Sequence, residues 1–310
     1  MARADEHRLT SLPPFAARLG HAMGRPVPLA LACLIALASL GWIYLALMTA
    51  EWAARGNAGA LGPGMGAFDL LLGRDGQALI GRALVDVLCR PSFGAQSAGW
   101  GAGQGALVFL MWCAMTFAMM LPTAAGMIMT YAQIADTAAR RREPAVSPLI
   151  LTAGYLTVWL GFAFVATALQ GALTHLALLD PAMASVSLLF SGAVFLGAGL
   201  YQFTPLKQAC VTRCQRPFPF FFANWSSAPG AIFRLGVRQG LYCLGCCWAT
   251  MLVMFAVGVM NVIWMAGLGV LMTAEKLATT PRLSRLAGAA FVAIGAVFVA
   301  SSIATHWPHG

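Results

Sequence analysis

The sequence predicts an all-α fold: a polytopic transmembrane helical bundle of about seven helices with its N-terminus in the cytoplasm. Three observations carry this. Of 310 residues, 60% are hydrophobic. Only 9% are charged, against about 25% in an ordinary soluble domain, so the chain lacks the polar residues to coat a water-soluble globule. The charges also leave long uncharged gaps, and about 20 apolar residues of helix cross a ~30 Å hydrocarbon core. A soluble enzyme and a disordered chain are excluded on composition alone.

Seven stretches qualify in order: 28–50, 105–134, 148–178, 185–206, 240–257, 258–274 and 286–307. The fifth and sixth share one uncharged run from Gln239 to Ala274, so a tight hairpin is expected near Gly258 to Asn261. The first follows a polar leader and exceeds the 7 to 15 apolar residues of a signal-peptide h-region, which reads as a signal anchor. The chain therefore divides into a cytoplasmic leader (1–27), a first span (28–50), an external loop (51–104) and a six-helix membrane domain (105–307). In the external loop Leu79, Ile80, Ala83, Leu84, Val87 and Leu88 recur at helical spacing, with Arg82, Asp86 and Arg90 in i,i+4 charge pairs. This predicts an amphipathic helix on the membrane surface.

Net charge is +9, which in a soluble protein would suggest acidic partners or nucleic acid. Here the basic residues fall between apolar runs and set orientation. With the N-terminus inside, 15 of the 19 Lys and Arg lie in inner segments, leaving only Arg55, Arg74, Arg82 and Arg90 outside. A multi-pass protein of the bacterial inner membrane follows, with the lipid bilayer as its partner, no nucleic-acid surface and no nucleotide-binding motif.

Eight cysteines are present, and five lie between positions 210 and 247. Cys210 and Cys214 share a helix face at i,i+4, and Cys243, Cys246 and Cys247 stand at i,i+3 and i,i+4. The expected topology puts both groups near the cytoplasmic ends of helices, the second in the first turns of the fifth helix. Lys207, Arg213, Arg216, Arg234 and Arg238 surround them, a setting that favours thiolates. Reduced cytosolic thiols argue against disulfides. The set Cys243, Cys246, Cys247 with Cys210 and Cys214 points to a soft metal ion, Cu(I) by preference and Zn as an alternative. Sixteen methionines strengthen copper, since thioethers suit Cu(I) better than Zn. Met115, Met119 and Met120 are the candidate secondary ligands, with Met127 and Met129 nearby, although methionine is also a flexible packing residue.

Pro122 is expected to kink the second helix and free backbone carbonyls. Gln170, Gln202 and Asn261 need partners within the bundle, and Gly192, Gly197, Gly199, Gly267 and Gly269 suit close helix packing. His175, His306 and His309 read as interfacial residues near the outer side, and no role is assigned to Cys89.

At these residues the chain resembles a bacterial family of uncharacterised integral membrane proteins described as predicted metal-binding. The resemblance lies in Met119-Met120-Leu121-Pro122, in Tyr201-Gln202-Phe203-Thr204-Pro205-Leu206-Lys207 leading to Cys210 and Cys214, in Gly240-Leu241-Tyr242-Cys243-Leu244-Gly245-Cys246-Cys247-Trp248, in Gly258-Val259-Met260-Asn261 and in Glu275-Lys276. It implies metal handling, with a metallochaperone or metalloenzyme as possible partner. Gln239 stands where the resemblance leads one to expect His, which removes an imidazole from any mixed His/Cys site. Two other readings stay open at this point: a thiol-disulfide oxidoreductase using Cys243 and Cys246, and a structural subunit with inert buried cysteines. No catalytic residues are indicated.

Overall fold

The computed structural model describes residues 25–54, 58–66, 101–179, 185–278 and 280–306. Residues 1–24 of the leader, the stretch of the external loop expected to form an amphipathic helix, Cys89 and His309 lie outside the described residues. Among those described, the fold is an all-α bundle with no strand, only an isolated bridge between Leu179 and Ser185.

The helices are α1 (Pro26–Ala54), α2 (Ala102–Met115), α3 (Leu121–Arg140), α4 (Pro148–His175), α5 (Leu188–Gln202), α6 (Pro205–Gln215), α7 (Pro217–Ala223), α8 (Pro229–Leu252), α9 (Met254–Val257), α10 (Val262–Leu277) and α11 (Arg282–His306). Their starts follow local chemistry. Proline lacks the N–H that the first helical turn leaves unpaired, and α4, α6, α7 and α8 each open on one. Side chains of Ser147, Ser187, Thr204 and Asn261 accept from the first-turn amides of α4, α5, α6 and α10.

Every expected apolar stretch is helical, but not every one is a straight span. Among the described residues, five stretches are long and apolar enough to cross a membrane: Pro26–Ala50, Gly103–Arg140, Pro148–His175, Pro229–Val257 and Arg282–Ala304. The fourth expected span is the broken pair α5 and α6, bent by 64° where Pro205 follows the cap residue Thr204. The sixth is α10, only 16 residues long, or roughly 24 Å at ~1.5 Å per residue. Large apolar side chains point outward, among them Ile35, Leu40, Phe164, Leu200, Val270 and Val297. Such a surface needs an apolar solvent, and with these helices it supports a membrane protein.

Two tight packings frame the interior. On α4 and α8, a Cβ added to Gly154 would run into the Phe233 carbonyl, and one on Gly236 into that of Leu151. Gly192 and Gly199 let α5 close on α11 around Gly295 and Gly288 in the same way. Gly197 and Gly267, expected to share this role, face open space. The expected hairpin is present: Gly258 adopts φ +100°, a conformation only glycine takes without strain, and Asn261 caps α10. Asn261 Nδ2 also donates to the Pro63 and Val257 carbonyls, pinning the segment after α1 to this turn. Gln170 accepts from Trp112 Nε1 at 2.8 Å and Gln202 donates to Thr250 at 3.2 Å, so both glutamines bond between helices.

The expected kink at Pro122 takes another form. A π-helical turn, Thr116–Met120, joins α2 to α3, and the two still run on as one apolar span. The wide turn and the missing proline N–H loosen the backbone ladder here. The Met120 carbonyl accepts from Thr123 at 2.9 Å and from the Tyr155 hydroxyl at 3.1 Å.

Candidate metal centre

Helix α8 begins at Pro229, well before the apolar run, because Arg234 and Arg238 sit on its exposed side. Cys243 therefore lies roughly 21 Å into the helix at ~1.5 Å per residue, not in its first turns as the sequence suggests. Its level in the bundle is set by the hairpin. Cys243 precedes Gly258 by fifteen residues and Lys276 follows Asn261 by fifteen, so the antiparallel α8 and α10 bring the two side by side.

Cys243, Cys246 and Cys247 are each at most 2% exposed, and their sulfurs lie within 4.8 Å of one another. Cys246 Sγ is 3.3 Å from Cys247 Sγ and 3.1 Å from the Cys243 carbonyl. Two sulfurs bound to one ion at ~2.3 Å each stand no more than ~4.6 Å apart, so small side-chain shifts bring all three onto one ion. The cluster contains neither histidine nor carboxylate. All the described cysteines, including Cys33 and Cys113 elsewhere in the bundle, are free thiols.

Around Cys243 the structure adds groups the cysteine spacing does not reveal. Lys276 Nζ donates to Cys243 Sγ at 3.0 Å and to Thr123 Oγ1 at 2.7 Å. The Tyr155 hydroxyl lies 3.0 Å from the same sulfur. An ammonium here offsets the negative charge of a ligating thiolate on Cys243, which is 2% exposed. Glu275-Lys276 belongs to a motif noticed in the sequence, but nothing in the linear order links it to Cys243. Lys207, expected among the basic residues facing the thiols, is instead fully buried. It pairs with Glu275 at 2.8 Å and donates to the Cys246 carbonyl at 2.6 Å.

The other candidates divide. Cys214 lines a cavity of about 460 Å³ together with Cys243, Tyr155, Thr123, Lys276 and Gln239. Cys210 packs against Gly245, where an added Cβ would lie 2.6 Å from its sulfur, and is not part of the three-thiol group. Met115, Met119 and Met120 are buried in the core, with Met119 against Gly269. None of the three lines the cavity, whereas Met127 does. Met120 joins the site through its carbonyl, by way of Tyr155. His175 is exposed at the end of α4.

No curated protein and no solved structure matches this chain. A family profile does, over residues 109–298, more than half of the sequence and all of the elements that build the thiol cluster. The chain belongs to the PpoB2 family, described as a copper chaperone family.

Proposed function

We propose that this protein binds Cu(I) as cargo at Cys243, Cys246 and Cys247 and passes it to a metallochaperone or metalloenzyme partner, or across the membrane, from within a bacterial inner membrane. The observation that carries the reading is the buried group of three thiols on one helix, free of imidazole and carboxylate, with an ammonium on Cys243. Thiolates select Cu(I) among available ions, and zinc would ordinarily recruit a fourth ligand to complete a tetrahedron. Glu275 is engaged by Lys207, so it does not supply that ligand. Cys214 and Met127, at the cavity wall, are the sulfurs for onward transfer. Cys210, Met115, Met119 and Met120 serve chiefly to pack the surrounding core.

The charge distribution supports an orientation with the N-terminus in the cytoplasm, since 15 of 19 basic residues fall on that side. In that frame the thiols open toward the cytoplasmic half of the bundle. Movement of the ion is then driven by its gradient, a coupled ion or the partner.

The test is metal content. Protein purified in detergent under reducing conditions and loaded with Cu(I) should retain about one ion per chain, and Cys243→Ser should lose it. X-ray absorption should show a sulfur-only shell. Wild-type protein with no metal above background, or a Cys243→Ser variant that binds as well, would remove the reading.

A further inference from the structure

The cavity beside the cluster has features that holding copper does not require. Among the described residues its lining includes one lysine, Lys276, and no carboxylate. Gln239 also lines it, is 2% exposed, and its Nε2 has no hydrogen-bond partner among the described residues. A buried amide donor left unpaired is costly, on the order of 1–3 kcal/mol, so an acceptor from outside the chain is the economical explanation for its place. Lys276 has three donor protons and uses two, on Cys243 and Thr123. The third remains for a ligand.

Soft groups share the same wall: Cys243, Cys214 and Met127. The mouth is edged by the exposed residues Gly126 and Leu277, while Cys243 and Tyr155 form the buried end. About 460 Å³ lies within the ~300–1,000 Å³ of small-molecule sites and is too small for a folded partner.

We infer that this cavity binds a small thiol that also carries a carboxylate, and that such a thiol delivers or removes the copper. The carboxylate accepts from Lys276 Nζ and, once the Gln239 amide turns its buried N–H groups toward the cavity, from Gln239 Nε2; the sulfur faces Cys243. Transfer is ligand exchange without oxidation. A copper bond to the small thiolate breaks as the bond to Cys243 forms, copper stays Cu(I), and the proton displaced from the protein thiol leaves with the released small thiol. The thiol end rests on the copper reading; the carboxylate end rests on the cavity alone.

The experiment uses N-acetylcysteine, its amide N-acetylcysteinamide and the thiol-free N-acetylalanine. Calorimetric titration of metal-free protein, kept reduced by a phosphine, should show the acid binding about tenfold or more tighter than the amide, as expected for hydrogen bonds to a charged group. Gln239→Leu should erase that preference. Gln239→Glu, close in size, should weaken the acid while leaving the amide unchanged, which guards against a folding defect in the first variant. On Cu(I)-loaded protein, N-acetylcysteine should bind about tenfold tighter than N-acetylalanine. Equal binding of acid and amide, or a preference that survives both Gln239 variants, overturns the site. Equal binding of N-acetylcysteine and N-acetylalanine to loaded protein overturns its thiol end. Copper content, measured on the same preparation, decides the metal reading separately.

Discussion

Replacing Lys276 with Met tests whether the cluster is built for an anionic sulfur. Methionine keeps the length and most of the apolar stem but removes the ammonium that donates to Cys243 Sγ at 3.0 Å and to Thr123 at 2.7 Å. A hydrogen bond to a charged group contributes about 1.5–3 kcal/mol, and ~1.4 kcal/mol is a factor of ten. The Lys276→Met variant should therefore bind Cu(I) about 10- to 100-fold more weakly than wild type. Thr123→Ala removes only the second anchor of the lysine, a neutral acceptor, so its loss should stay below about tenfold, from the ~0.5–1.5 kcal/mol of an ordinary hydrogen bond. The assay is competition with a chromogenic Cu(I) chelator in detergent, with far-UV circular dichroism to confirm helix content. A folded Lys276→Met protein within twofold of wild type would refute the charge-compensation argument. So would a Thr123→Ala loss larger than that of Lys276→Met.

Other outcomes follow from the same geometry. Single serine replacements at Cys243, Cys246 and Cys247 should each lower copper stoichiometry, while Cys210→Ser, outside the three-thiol group, should retain it; the check is metal per chain by mass spectrometry. Lys207→Met strands a buried carboxylate and should destabilise the fold by about 3–5 kcal/mol, with much of the loss recovered by adding Glu275→Gln, as read by thermal melting in detergent; equal melting of single and double variants would count against the pair. Gly236→Ala drives a methyl into the Leu151 carbonyl and should cost about 1–3 kcal/mol, whereas Gly197→Ala, facing open space, should be neutral or slightly stabilising.

The bundle and its hairpin were legible because hydropathy and charge gaps report directly on lipid exposure. Helix ends were less so. Counting uncharged residues started the fifth span at Gly240, but a helix that leaves the apolar layer continues as long as its backbone bonds and side-chain packing hold. Pro229 was the true start signal, and Arg234 and Arg238 lie on the solvated side of that extension. The three-thiol cluster was legible because i,i+3 and i,i+4 spacing is a property of one helix. Lys276, Thr123 and Tyr155 come from three other helices, and their convergence on Cys243 depends on helix rotation that no single segment encodes. Met119 and Met127 show the limit of periodicity. Both lie on the same continuous span, yet one packs on Gly269 and the other reaches the cavity, because eight residues carry an α-helix about 80° past two full turns.

Charge balance leads to a last prediction, about the identity of the metal. Glu275 and Lys276 are consecutive, so their side chains leave α10 about 100° apart, and each meets a different partner: Glu275 pairs with Lys207, and Lys276 meets Cys243. The Lys207–Glu275 pair is neutral by itself. Lys276 therefore contributes one positive charge to the thiol cluster, and a buried site that departs from neutrality is penalised by desolvation. A monovalent copper ion with two thiolates carries −1 and is neutralised by Lys276, with the third cysteine ligating as a neutral thiol. A divalent zinc ion reaches the same neutrality only with all three cysteines ionised. Metal binding releases the protons its ligands give up, so zinc loading should release one more proton per ion than Cu(I) loading, measured with an indicator dye in weakly buffered detergent solution. Equal release by the two ions would mean that Lys276 does not set the charge of the site.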